Sequence, residues 1–180
     1  MNTPPPSLPQ GPPRLIAASE EGVTLSGQRT SVTVPLAAAA QNAMEILAAG
    51  DSPGRLTLSV EGVQFTGNPG VVYEVHLNLP PDGDPITDDT FFAGVVSFFS
   101  PGRHDPGQKP DADPAGINHV FDITGLAQML RAEDHWDAQQ ATVTFVPVGL
   151  IPPGGTLESA YDVEPTTTPH VARVSLSFTP

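Results

Sequence analysis

The amino-acid sequence predicts an all-β fold, an antiparallel β-sandwich or jelly-roll-like barrel with one or two short helices. Three observations predict it. Several segments alternate apolar and polar residues with the period of a half-buried strand, as Leu56, Leu58 and Val60 do against Thr57, Ser59 and Glu61. Turn-forming clusters such as Gly67-Asn68-Pro69-Gly70 and Pro80-Pro81-Asp82-Gly83-Asp84-Pro85 separate these segments. The composition, 22 Pro and 17 Gly with 38% hydrophobic residues in a chain of 180, suits a fold rich in turns better than a helical bundle.

Taken in order, residues Met1 to Pro13 carry six prolines and read as an extended, polyproline-like linker, so the folded unit is expected as one domain over residues 14–180. Two short strands are expected around Val23–Leu25 and Ser31–Val34, joined as a hairpin or lying as two edge strands. The alanine-rich stretch that follows predicts a helix from about Leu36 to Ala49, stopped by Gly50 and Pro53; a loop with one helical turn, after a longer VTVPL strand, is the alternative. Strands follow around Leu56–Val60 and Val71–Leu79, the second with Val71, Tyr73, Val75 and Leu77 on one face. The nearly continuous apolar run Phe91–Phe99 predicts a central strand covered on both sides. His119–Ile123 reads as a short strand, and Leu126, Met129 and Leu130 fall at helical spacing behind Thr124, a candidate N-cap. Alternation at Thr142–Pro147 and Val171–Phe178 predicts the closing strands.

Charge and composition narrow the function. Twenty acidic residues against seven basic ones give a net charge of −13, and Lys109 is the only lysine. Such a surface repels a phosphate backbone, so no nucleic-acid partner is expected; a basic protein face or a cation suits it. The absence of cysteine excludes disulfides and thiolate chemistry. The N-terminus has neither the charged nor the apolar region of a signal peptide, and no apolar run reaches membrane-spanning length, so a soluble cytoplasmic protein, or one that follows a fused or partner protein, is expected.

No catalytic motif emerges. There is no Gly-x-Ser-x-Gly elbow, and a triad of His119, Asp122 and a serine would rest on sequence proximity alone. Two acidic loops offer oxygen or imidazole ligands. Asp82, Asp84, Asp88 and Asp89 cluster in DGDPITDD but lack the EF-hand spacing, so they read first as solvated turn residues and second as a calcium loop. The loop HDPGQKPDADPAGINH carries His104, Asp105, Asp111, Asp113 and His119; of these His104, Asp105 and His119 are the candidate ligands for copper or zinc, against the plainer reading of a long solvated loop. No cofactor is expected.

The segments RLTLSVEGVQFTGNPGVVYEVHLNLP, FFAGVVSFFS, HVFDITGLAQMLRAEDHWD and ATVTFVPVG, in this order, resemble the C-terminal β-domain of the tyrosinase and polyphenol oxidase family. The resemblance covers roughly Arg14 to Phe178 and lies in block order and local wording. It implies a non-enzymatic module that sits over the dicopper site of a catalytic domain, in cis or in trans, and shields it or assists its maturation. Such domains often insert one bulky side chain toward the coppers, and a separate small protein does comparable work in some bacteria. Six imidazoles are required for that dicopper site, whereas this chain has five scattered histidines, so oxidase chemistry of its own is not expected. An apolar, aromatic-lined pocket calls for an exposed aromatic plug. Phe65, beside the GNPG turn, is the first candidate and Tyr161 the second, with capping of the core as the alternative for Phe65. Tyr73, Trp136, Phe91, Phe92, Phe98 and Phe99 are expected in the core. The alternatives to shielding are a stand-alone β-sandwich binding module and a copper-delivery helper.

Overall fold

The computed structural model describes residues 11–49, 54–67, 69–98, 116–151 and 153–180. The strands are β1 (Arg14–Ala18), β2 (Val23–Thr24), β3 (Thr30–Pro35), β4 (Arg55–Val63), β5 (Val72–Leu77), β6 (Phe92–Val96), β7 (Ile117–Asp122), β8 (Gln140–Val148), β9 (His170–Val171) and β10 (Arg173–Thr179). Three α-helices, α1 (Ala38–Ala49), α2 (Thr124–Ala132) and α3 (Glu158–Tyr161), and a single 3-10 turn at Asp89–Phe91 complete the described elements. One antiparallel sheet runs β1-β10-β4-β7, a second runs β3-β8-β5-β6, and β2 with β9 forms a small third. The architecture is an all-β sandwich; among the described residues no sheet closes into a barrel.

Alternation selects the inner faces. Leu56, Leu58 and Val60 of β4 and Val174, Leu176 and Phe178 of β10 are buried together with Tyr73, Val75 and Leu77 of β5 and Val143 and Phe145 of β8. Each fully buried aliphatic side chain of this kind contributes about 1.5–3 kcal/mol by leaving water. Tyr73 is completely buried, and its hydroxyl donates to the Ser26 carbonyl at 3.0 Å, so the core tyrosine is satisfied. Pro147 lies within β8 at no cost to the ladder on one side. The partner strand β3 has already ended at Thr30, opposite Phe145, and an edge tolerates proline.

Of the two readings of β2 and β3, the pair of edge strands holds and the hairpin does not: Val23 pairs with Val171, whereas Val32 pairs with Val143 in another sheet, at whose end β3 lies. Three further expectations are corrected. The helix α1 starts at Ala38, two residues after Leu36, because the Leu36 N–H still donates to the Gln139 carbonyl (2.8 Å) and so prolongs the β3–β8 pairing. Thr124 is the first residue of α2, behind Ile123, which makes no side-chain cap. Its hydroxyl accepts from the Leu56 N–H (2.9 Å) and donates to Asp122 (2.7 Å), which ties the helix start to β4. Lastly, β6 is an edge strand, not a central one, and Phe92 on its outer face is 41% exposed rather than in the core. Phe91 and Phe98 are buried as expected, Trp136 is half-buried against the core, and Phe99 lies outside the described residues. The proline-rich segment also lies largely outside them.

The two edge strands β6 and β7 meet because Gly94 lacks a side chain: the Phe121 ring occupies the place a Cβ would take. This contact brings His119 between the layers.

Candidate partner-binding surface

The residues between β8 and α3 form the most exposed apolar feature described. Gly149 leaves β8 with its N–H donating to the Ala160 carbonyl (2.8 Å), and a Cβ there would stand 2.6 Å from Val163, so the exit requires glycine. The segment that follows has Gly154 at φ 80°, a left-handed turn position that favours glycine. It is closed by Ser159 and Ala160, whose N–H groups donate to the Thr156 and Leu157 carbonyls. On this tip Leu150 is 90% exposed, Ile151 52% and Leu157 50%. The other large exposed apolar side chains, Leu15, Phe92, Val95 and Val120, lie on strands of the two main sheets.

The base of the tip is anchored to the outer face of the second sheet. The Tyr161 hydroxyl donates to the Glu74 carboxylate, 3.1 and 3.0 Å from its two oxygens. Burial and then the Glu74 hydrogen bond push the Tyr161 phenol up to about 12. On the same carboxylate, 3.4 Å from Oε2, lies His76 Nε2; this ring is buried, and Phe92 meets it edge-on at 5.8 Å. Cross-strand register explains the grouping, because Glu74 stands opposite Val146 and His76 opposite Thr144. Beside this anchor is a cavity of about 370 Å³ lined by Arg29, Ile86, Val146, Glu158, Tyr161 and Glu164, among others. Arg29 donates to the carbonyls of Pro80, Pro81 and Gly83 at 3.5, 3.0 and 2.6 Å, so its donors hold the 80–83 turn in place. Glu158, Asp162 and Glu164 bring three acidic residues to the lining of this cavity.

Among the described residues, Phe65, Tyr161 and His119 belong to different parts of the fold. Phe65 is half-buried, packed against the core with its ring edge-on to Phe98 at 5.0 Å, the geometry of a core cap. Tyr161 ends α3 rather than lying in a loop, with its hydroxyl engaged as described. His119 stacks on Phe121 with ring centroids 6.3 Å apart, its Nε2 buried with no partner among the described residues, and desolvation lowers its pKa against a backbone hydrogen bond at Ser97. His104 and Asp105 lie outside the described residues, as do Asp111 and Asp113. Among the described residues no group of three or more His, Asp or Glu side chains is placed to hold a metal ion. In DGDPITDD the carboxylates serve the local backbone: Asp84 accepts from the Ile86 N–H and the Thr87 hydroxyl, and Asp88 accepts from the Thr90 N–H.

Sequence reasoning missed the tip. Its signal is the apolar pair Leu150-Ile151 set directly before Pro152-Pro153-Gly154-Gly155, a run that can continue neither strand nor helix and so leaves the apolar side chains on a turn.

A family described as Domain of unknown function (DUF7868) matches residues 12–158. No curated protein matches the chain. Among solved structures, a latent aurone synthase (polyphenol oxidase) from natural source is 15% identical, with 86% of this chain and 25% of that one covered and a TM-score of 0.45. The recombinantly expressed latent aurone synthase gives 15%, 86%, 25% and 0.44 in the same order. Its co-crystal with hexatungstotellurate(VI) gives 14%, 88%, 25% and 0.44. The chain thus spans about a quarter of the length of these structures.

Proposed function

The chain belongs to the DUF7868 family, and on that premise we propose that it is a non-enzymatic, partner-binding β-domain of the tyrosinase type. It covers, or assists the maturation of, the dicopper catalytic domain of a phenol oxidase. The observation that carries the binding role is the apolar tip. Leu150, Ile151 and Leu157 stand in water on a turn anchored by Gly149 and Tyr161, so their burial needs no rearrangement of the fold. An exposed apolar cluster on a rigid base marks an interaction site. The acidic residues Glu158, Asp162 and Glu164 at the cavity beside Tyr161, within a chain of net charge −13, favour a concave apolar partner with a basic rim and disfavour an anionic lipid surface. The order and wording of the β4–β5, β6 and β7–α2 segments support the choice of oxidase as the partner class.

In this reading the tip, with Leu150 foremost, enters the partner's cleft, while Phe65 belongs to the core. The test adds the chain at rising concentration to a tyrosinase-type catalytic domain and follows diphenol oxidation, copper loading and folding yield. The native chain inhibits oxidation in a dose-dependent way or raises the loaded fraction. The Leu150→Asp/Leu157→Asp variant weakens the effect by about thirtyfold, the scale of losing an interface hot spot. No change in any of the three readouts with the native chain overturns both shielding and maturation.

A further inference from the structure

A second cleft, of about 340 Å³, opens between α1 and the C-terminal end of α2. Ala40 and Trp136 lie on its apolar side, and Gln41, Glu45, Arg131 and Asp134 bring polar groups to it. The walls are fixed relative to each other. Gln41 donates its side-chain N–H to the Ala138 carbonyl (3.1 Å), which ties α1 to the segment carrying Trp136. That segment leaves α2 through a tight turn, with the His135 N–H on the Leu130 carbonyl (2.7 Å) and the Asp134 N–H on the Arg131 carbonyl (3.3 Å). In such a helix ending the residue at the left-handed position is usually glycine; here it is Asp134, at φ 63°. A carboxylate is therefore held on the cleft at a position where glycine would fit with less strain.

The electrostatics choose the ligand. Glu45 and Asp134 bring two acidic residues to the lining against one basic residue, Arg131, which has an interaction partner of its own. An indole face attracts a weakly hydrated cation, and carboxylates beside it strengthen the attraction. Anions are disfavoured here by these carboxylates and by the net charge of −13.

We propose that this cleft binds a small organic cation with an apolar body, an alkylammonium, seated against Trp136 between Glu45 and Asp134. The site is separate from the tip and does not depend on the partner. Because Trp136 is the chain's one tryptophan, its fluorescence reports directly on the cleft. The protein is titrated with choline, with its neutral isostere 3,3-dimethylbutan-1-ol, and with sodium chloride at matched ionic strength. Choline gives a saturable change with a midpoint about three- to thirtyfold below that of the isostere, the range expected for a cation on an indole. Glu45→Gln and Asp134→Asn each raise the choline midpoint severalfold. Both preserve the fold, since Glu45 is exposed and asparagine accepts the left-handed backbone as readily as aspartate. Equal midpoints for choline and its isostere, a choline response no different from that of sodium chloride, or insensitivity to both substitutions would each overturn the proposal.

Discussion

The two tyrosines of the chain are both pushed up to about 12, Tyr73 by burial and then the charge of Glu164, Tyr161 by burial and then Glu74. A phenol that ionises less readily in the folded chain contributes stability that is fully present below its unfolded value, about 10. That contribution is lost as pH rises from there through the folded value of about 12. Spectrophotometric titration of the native protein should therefore show almost no phenolate at pH 10.5, roughly half a unit above the unfolded value, where an unfolded control is mostly ionised. Ionisation should then coincide with loss of near-ultraviolet circular dichroism. A full tyrosinate signal from a still-folded protein near pH 10, roughly the unfolded value, would contradict the hydrogen bonds assigned to Ser26 and Glu74. Tyr161→Phe removes the donor to Glu74 and should cost about 1 kcal/mol in urea unfolding. Asp134→Gly works in the opposite direction. It relieves the backbone at φ 63° and should raise stability by up to about 1 kcal/mol while it weakens choline binding. A residue whose removal stabilises the fold and costs a ligand is better explained by the ligand than by folding.

At the scale of elements, Gly94 and the tip make opposite predictions about stability. Phe121 fills the space beside Gly94, so Gly94→Ala forces β6 and β7 apart and should destabilise by about 1–3 kcal/mol in urea. Leu150→Asp, on a side chain 90% exposed, should change stability by no more than about 0.5 kcal/mol in the same assay. The contrast separates what holds the sandwich from what it presents to others. It also marks what was legible in the sequence. Alternation at Leu56–Val60, Val71–Leu77 and Val174–Phe178 gave the inner faces, because a period of two is a local property. Partnership was not legible: which strand lies beside β2 or β3 depends on closures between residues more than a hundred positions apart, such as Val32 with Val143, and that β6 ends its sheet depends on β8 taking the other side of β5. The candidate site was less legible still. Phe65, near a turn, read as a plug or a cap on the core, and its packing against Phe98 is a contact between separate segments that local sequence does not show; Leu150 is exposed in a segment rich in glycine and proline.

For the whole molecule the net charge of −13 sets two opposing responses to acid. Self-repulsion among carboxylates destabilises the compact state at neutral pH and weakens as protons bind. Two specific groups act the other way. Burial lowers the pKa of His119, so its neutral form contributes stability that is complete above the unfolded value, about 6.5, and is lost as pH falls through the lower folded value. Burial would raise the pKa of Asp122, but its hydrogen bonds with Thr124 and its ion pair with Arg55 at 2.8 Å outweigh this and lower it. That contribution is present above about 4 and is lost as pH falls through the folded value below it. Added salt separates the two effects, since it screens exposed like charges far more than buried groups. At pH 7, roughly 0.3 M sodium chloride should therefore raise Tm, the Debye length having fallen well below 10 Å. Near pH 4, roughly where carboxylates are half protonated, the same salt should have little effect. His119→Phe should flatten the part of the pH–Tm curve just below about 6.5 and leave the salt response at pH 7 intact. A salt response that persists unchanged at low pH would mean that dispersed repulsion is not what limits this fold, and that the acidic surface matters mainly to the partner it meets.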